Sequence, residues 1–194
     1  MENAPISDAL ALRATASAFD AQRGKLPVVG DPHLSPDAVA VARQISELGK
    51  LITDLGDEIL FRATHQNQAP HTARVITNFA AAVEPAGEAT SALGAVADQL
   101  TFLNQTESMR DQPDARDARQ AAVRVIEEAL ATADAALHDG ANSLYAASAT
   151  VSPLSVRLQA ARSRSTTAAP SPGFPPPDAT TTAAATSDRI ARGR

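Results

Sequence analysis

Cysteine and tryptophan are both absent from this 194-residue sequence, and tyrosine occurs once. The absence of cysteine excludes disulfide bonds, thiolate metal ligands and a cysteine nucleophile. Aromatic residues make up 3% of the chain although 44% of it is hydrophobic, so the buried area must come from alanine, leucine, isoleucine and valine. Because alanine is the best helix former and runs of β-branched residues are missing, the composition predicts an all-α protein.

Long apolar runs and the motifs of common cofactor sites are missing as well. No window approaches the roughly 18 apolar residues of a membrane span, and Glu2 and Asp8 stand where a signal peptide would carry positive charge. There is no glycine-rich phosphate loop and no GxSxG nucleophile elbow. We therefore expect a cytoplasmic protein with no transmembrane segment, no cofactor, no metal ion and no catalytic residue. Fifteen arginines against two lysines, together with abundant alanine, are typical of a GC-rich bacterial genome.

The charge is distributed unevenly along the chain. Residues 1–156 contain 11 basic and 20 acidic residues, a net charge of −9, whereas residues 157–194 contain six arginines and two aspartates, a net charge of +4. An acidic body repels nucleic acid, so we expect no nucleic-acid partner. The basic end is suited to an anionic partner or to the acidic body of the protein itself.

Three segments carry hydrophobic residues in a heptad pattern that keeps its phase. The first is predicted to form a helix over residues 36–66, with Ser35 as its N-cap and Pro36 at its first position. Isoleucine occupies the a positions and leucine or valine the d positions, as in a coiled-coil seam. The residues of this seam are Val41, Ile45, Leu48, Ile52, Leu55 and Ile59.

The second and third seams follow after short polar breaks. The second contains Pro85, which is expected to kink or briefly break its helix because proline removes a backbone hydrogen bond. The seam keeps its phase through Pro85, which favours the kink. The third should begin at Pro113 and end before Pro153. Gly140 within it should weaken the helix by about 1 kcal/mol relative to alanine and bend or fray it. The second seam consists of Val75, Phe79, Ala82, Ala86, Ala89, Leu93, Val96, Leu100 and Leu103, and the third of Val123, Ile126, Leu130, Ala133, Leu137, Gly140, Leu144 and Ala147.

The three seams predict an elongated, antiparallel, coiled-coil-like three-helix bundle, because short connections join antiparallel neighbours. Residues 6–23 form a further candidate helix, and its docking would make the bundle four-helical. The predicted organisation is an N-terminal helix and loop over residues 1–34, the helical bundle over residues 35–156, and a disordered tail over residues 157–194. The tail is rich in proline, threonine and alanine and has little to bury.

The polar stretch THQNQAPH, residues 64–71, holds two of the four histidines and separates the first two seams. Imidazoles bind metals, but a zinc site needs three or four ligands, and no HExxH or Glu-x-x-His spacing occurs in the chain. Glutamine and asparagine suit the end of one helix, and Pro70 suits the start of the next. We interpret the stretch as an interhelical turn, with a metal or catalytic site around His65 and His71 as the alternative.

The first predicted helix also carries a group of acidic residues. Asp54, Asp57 and Glu58 fall at heptad positions that face solvent, so they predict a solvated acidic face, whereas acid–base chemistry would need a pocket that shifts a pKa. Gly56 lies between them and is unusual within a helix. It indicates a close approach by another helix.

Arg62 occupies a d position of the same helix, where an apolar residue would extend the seam. We expect the core to end there and the arginine to extend toward solvent over its apolar stem. The alternative is a buried ion pair with an acid such as Glu107.

The pattern of seams without a catalytic constellation favours a noncatalytic helical interaction or structural protein. Its heptad faces would bind a protein partner or a second copy of the chain, a homodimer being one form. The predicted interaction residues are Ile45, Ile52, Ile59, Leu93, Leu100, Leu130 and Leu137.

Two alternative functions follow from other features of the sequence. Alanine-rich helices without cysteine or tryptophan, followed by a tail rich in proline and alanine, are similar in composition to phasins. This resemblance implies an amphipathic protein that coats lipid or polymer granules and binds hydrophobic particles reversibly. The other alternative is a metal-binding or enzymatic helical protein built around His65 and His71.

Overall fold

The structure, a computed structural model, describes residues 4–28, 30, 36–65 and 70–152. These ranges contain no strand, and they contain the helices α1 (Ala4–Arg23), α2 (Ala38–His65), α3 (Pro70–Gln105) and α4 (Pro113–Val151). A short 3-10 helix, Glu107–Met109, lies between α3 and α4. The predicted all-α helical bundle is therefore confirmed. The predicted disordered tail, residues 157–194, lies outside the described residues, as do the domain boundaries predicted after residues 34 and 156.

The helix ends agree closely with the sequence prediction. α2 begins two residues later than expected, because the Asp37 carboxylate accepts a hydrogen bond of 2.9 Å from the backbone N–H of Ala40 and so caps the helix. The predicted cap, Ser35, lies outside the described residues. α4 begins at Pro113 and ends at Val151, which precedes Pro153, as predicted.

Neither α3 nor α4 is interrupted at the position where its sequence predicts a distortion. α3 continues through Pro85 from Pro70 to Gln105, and α4 continues through Gly140. A break at Pro85 and fraying at Gly140 were therefore wrong, whereas the expected kink at Pro85 and bend at Gly140 stay predictions. The physical reason is tertiary packing, since neighbouring helices cover both sites and offset the local cost of proline and glycine.

Side-chain contacts fix the direction of α1 against α2. Asp8, near the start of α1, contacts Arg62 near the end of α2, whereas Gln22 near the end of α1 bonds to Gln44 near the start of α2. The two helices are therefore antiparallel. α2 and α3, and likewise α3 and α4, pack as hairpins joined by short connections. The helices thus alternate in direction along the chain, and α1 is the fourth helix of the bundle.

The hairpin of α3 and α4 forms the middle of the bundle. α2 packs mainly on α3, α1 packs mainly on α4, and α1 and α2 approach each other closely at few positions. The core between them is built from aliphatic side chains and two phenylalanines, as the low aromatic content requires. Its largest fully buried side chains are Phe19, Phe79, Leu12, Leu48, Leu55, Leu93, Leu137, Leu144, Val41, Val75 and Val96.

Candidate interaction groove

The seven predicted interaction residues lie inside or against the core of this chain. Three of them are buried, namely Leu93, Leu130 and Leu137. The other four are partly buried and pack against the core, namely Ile45, Ile52, Ile59 and Leu100. Their role in binding another chain stays a prediction. It would require them to leave contacts that they already make within the bundle.

A groove of about 500 Å³ lies between α1 and α2, the two helices with few close contacts. Leu51 and Leu55 line its apolar floor and are 8% and 1% exposed. Its α1 wall consists of Ala14, Thr15 and Ala18. The groove exists because these α1 side chains are short, so they do not reach across to α2.

Polar contacts join α1 and α2 beyond both ends of the groove. At one end, Nε of Arg62 donates to Oδ1 of Asp8 at 3.3 Å. At the other end, Nε2 of Gln44 donates to the carbonyl oxygen of Gln22 at 2.9 Å, and Nε2 of Gln22 donates to Oε2 of Glu47 at 3.1 Å. These bonds hold the two helices in register and leave the middle of the interface open.

Glu47 also binds a lysine from the segment after α1. Nζ of Lys25 lies 2.5 Å from Oε2 of Glu47. The hydrogen bond from Lys25, followed by the one from Gln22, lowers the pKa of the Glu47 carboxyl below its ordinary value. Glu47 is therefore charged at neutral pH. It connects α2 to Gln22 in α1 and to Lys25, two residues after the end of α1.

The α2 wall of the groove carries an exposed acidic and aromatic edge. Asp54 and Asp57 are exposed, and Glu58 is partly exposed and contacts Arg62. Phe61 lies at the end of this wall and is 56% exposed. The predicted solvated acidic face is confirmed for the two aspartates. The sequence did not indicate that this face borders a groove, because that depends on where α1 packs.

Arg62 contradicts the expectation that it extends into solvent. Its residue surface is 5% exposed, its guanidinium lies 4.8 Å from the centre of the Phe79 ring, and its Nε binds Asp8. NH1 of Arg62 also contacts the carboxylate of Glu58. The prediction was wrong because α1 covers this end of α2 and supplies a carboxylate, so the charge is paired inside the bundle.

The alternative partner proposed for Arg62, Glu107, lies elsewhere. Glu107 binds Arg110 at 3.0 Å and Arg119 at 2.7 Å, in the turn between α3 and α4. The alternative of a buried ion pair for Arg62 was therefore correct, but the acid in this pair is Asp8 and not Glu107. Asp8 was missed because its position on α1 shows no charge pattern that identifies a partner on another helix.

The Asp8 carboxylate retains unused hydrogen-bonding capacity. Asp8 is 3% exposed, and its Oδ2 has no hydrogen-bond partner among the described residues. A buried acceptor without a partner costs roughly 1–3 kcal/mol. The pair therefore sets the position of α1 on α2 rather than adding greatly to stability, since desolvation offsets much of its attraction.

The metal or catalytic alternative around His65 and His71 stays a prediction, because these side chains lie outside the described part. α2 ends at His65 and α3 begins at Pro70, in agreement with the predicted turn, but residues 66–69 and the side chains of His65 and His71 lie outside the described part. Within that part, no group of three or more His, Cys, Asp or Glu residues is placed to hold a metal ion.

Comparisons with known proteins assign this chain to no family. No protein-family model matches the chain, and neither a curated protein nor a solved structure matches it. Among the described residues, no helix combines the length and the apolar character that crossing a bilayer requires.

Proposed function

We propose that this chain is a noncatalytic helical protein that binds a protein partner, and that the α1–α2 groove is its binding surface. The groove carries the proposal, because it combines a buried leucine floor with the exposed ring of Phe61. Exposed aromatic side chains beside an apolar depression are typical of residues that anchor a protein interface. The heptad seams, by contrast, already pack against one another within the chain.

The groove also has the features of a surface that is ready to bind. Its two helices are joined beyond each end by the Asp8–Arg62 pair and by the Gln22–Gln44 hydrogen bond. A preformed site needs little ordering when a partner arrives, and so less of the contact energy is lost. Leu10, which is 60% exposed, lies one helical turn before Ala14 and extends the apolar surface of α1.

Site-specific photocrosslinking tests this function. The photoreactive analogue benzoyl-phenylalanine replaces Phe61 at the groove or, as a matched control, the partly buried Phe102 near the end of α3. Both variants are irradiated in the cells that make the protein, and the adducts are identified by mass spectrometry. We expect a defined protein adduct at position 61 that is missing at position 102. Identical adducts at both positions, or none at position 61, would contradict the proposal.

The phasin-like coating function is the second candidate, and the exposed apolar side chains favour it. Leu10, Leu60 and Phe61 are each more than half exposed. A coating protein uses such residues to bind hydrophobic particles. Flotation with lipid or polymer particles distinguishes the two functions: recovery of the full chain with the particles supports coating, whereas a chain that stays in the aqueous fraction removes it.

A further inference from the structure

We propose that the α1–α2 groove binds a basic amphipathic helix of a partner protein, an inference that rests on the groove being the binding surface. Leu51 and Leu55 provide an apolar floor, and Ala14 and Ala18 line the facing wall. Such a surface accepts the apolar face of a helix, whose anchor side chains recur at intervals of three and four residues.

The length of the groove suits a short helix. On α2 its lining extends from Leu51 to Phe61, which corresponds to about 15 Å at the rise of an α-helix. This length accommodates roughly three turns and therefore two or three anchor residues. The α1 side chains that face the groove are alanine and threonine, so a partner's larger side chains meet no competing bulk.

The charge of the groove determines the sign of the charge that a partner should carry. Asp54 and Asp57 lie along the α2 wall and are exposed. Within the part of the chain that the structure describes, neither forms an ion pair, whereas Glu58 is paired with Arg62. Lys50 precedes Asp54 by one helical turn and does not line the groove. Lysine or arginine residues flanking the apolar face of the partner would therefore meet two carboxylates that no described residue pairs with.

A second copy of the chain is a poor match for this surface. Residues 1–156 carry a net charge of −9 and the whole chain one of −5, so two copies repel each other overall. The same charge disfavours nucleic acid and anionic lipid. A basic helix supplied by another protein satisfies both the apolar floor and the acidic wall.

Binding of two synthetic peptides by fluorescence anisotropy tests the inference. Both are 18-residue helical peptides with leucines on one face and alanines elsewhere, and their flanking residues are lysine in one and glutamate in the other. We expect the lysine peptide to bind the full chain at least about tenfold more tightly than the glutamate peptide. Neutralising two exposed charges in D54N/D57N should weaken the lysine peptide about fivefold.

Two matched controls separate the groove from general effects. D114N/D117N removes the same charge at the same spacing from the exposed face of α4 and should leave binding unchanged. Ala14→Trp fills the groove and should abolish binding of the lysine peptide, whereas Ala131→Trp, at an exposed alanine of α4, should not. Circular dichroism and thermal melting verify that each variant is folded.

The outcomes distinguish this inference from the proposed function. Equal binding of the two peptides, no binding of the lysine peptide, an equal effect of both double variants, or unchanged binding to Ala14→Trp would each overturn the basic-helix partner. So would a dimer that Ala14→Trp dissociates, because a second copy would then occupy the groove. A specific photocrosslink at position 61 alongside any of these results would leave the proposed function intact with a partner of different chemistry.

Discussion

The ring of Phe19 occupies the space that a side chain at position 140 would need. A Cβ atom built on Gly140 would lie 2.5 Å from Cε1 of Phe19 and 3.2 Å from Cγ of Pro85. Phe19 is fully buried, so its ring cannot swing into solvent. Gly140 on α4 thus allows α1 and α3 to approach α4 at one point, and the glycine is a requirement of packing.

Replacing Gly140 with alanine should therefore destabilise the protein although alanine favours helix. Overpacking of a filled core costs about 1–3 kcal/mol, which exceeds the gain in helix propensity of about 1 kcal/mol. Gly94→Ala is the matched control, because no described side chain or neighbouring helix lies within 4 Å of its added Cβ, and it should stabilise the chain by up to about 1 kcal/mol. Urea unfolding of both variants measures the difference. A stabilised Gly140→Ala variant would contradict this role of Phe19.

These glycines also mark the limit of what the sequence could predict. The helices were predictable because heptad spacing reflects burial along one helix, a local property. Close approach between helices is not local. Gly56 was expected to mark such an approach, but no other helix in the described part lies within 4 Å of its added Cβ. Gly140, expected to weaken its helix, lies against Phe19. The groove was unpredictable for the same reason, since it depends on the distance between α1 and α2.

The buried pair of Arg62 and Asp8 leads to a second prediction. Arg62→Met leaves the Asp8 carboxylate buried without its countercharge, and this should cost about 3–5 kcal/mol of unfolding free energy. The double variant Asp8→Leu/Arg62→Met removes both charges and should be less destabilised than Arg62→Met alone. Chemical denaturation of the single and double variants provides the test.

Glu58→Gln is the control for this pair, because Glu58 contacts the same arginine from a side chain that is 42% exposed. Its loss should cost less than about 1 kcal/mol. Equal losses for Glu58→Gln and Arg62→Met would show that burial of Asp8 is not the source of the effect.

Arg119 on α4 forms hydrogen bonds to the end of α3 and to the turn that follows it. Its removal should destabilise that turn. NH1 of Arg119 donates to the carbonyl oxygen of Leu103 and, at 3.0 Å, to Oγ1 of Thr106, while NH2 binds Glu107 at 2.7 Å. Carbonyl groups in the last turn of a helix lack partners within it. Arg119→Met should therefore cost about 1–3 kcal/mol.

The control for Arg119 is Arg116→Met, which changes an exposed arginine one turn earlier on α4 and should have little effect on the free energy of unfolding. Hydrogen exchange of the amides between residues 103 and 112 gives a local measurement. Faster exchange should appear in Arg119→Met and not in Arg116→Met. Unchanged exchange in both variants would mean that Arg119 does not close the turn.

The ion pair between α1 and α4 predicts how stability depends on pH. Nε and NH2 of Arg23 bind the two carboxylate oxygens of Asp134 at 2.6 and 3.1 Å. The hydrogen bond from Arg23 lowers the pKa of the Asp134 carboxyl below its ordinary value. Since the folded pKa is below the unfolded one of about 3.9, the pair stabilises the fold above that pH, and the contribution disappears as the pH falls through the folded pKa.

Asp134→Asn should therefore lower the urea midpoint at pH 7. The difference in urea midpoint between the variant and the wild type should become smaller as the pH falls below about 4. The loss should be small, because the side chains of Arg23 and Asp134 are 39% and 46% exposed and solvent screens the pair. Asp117→Asn, at an exposed aspartate of the same helix, is the control. A difference between Asp134→Asn and the wild type that stays constant down to pH 2 would mean that the asparagine acts through packing, because a charged pair must lose its effect once the carboxyl is protonated.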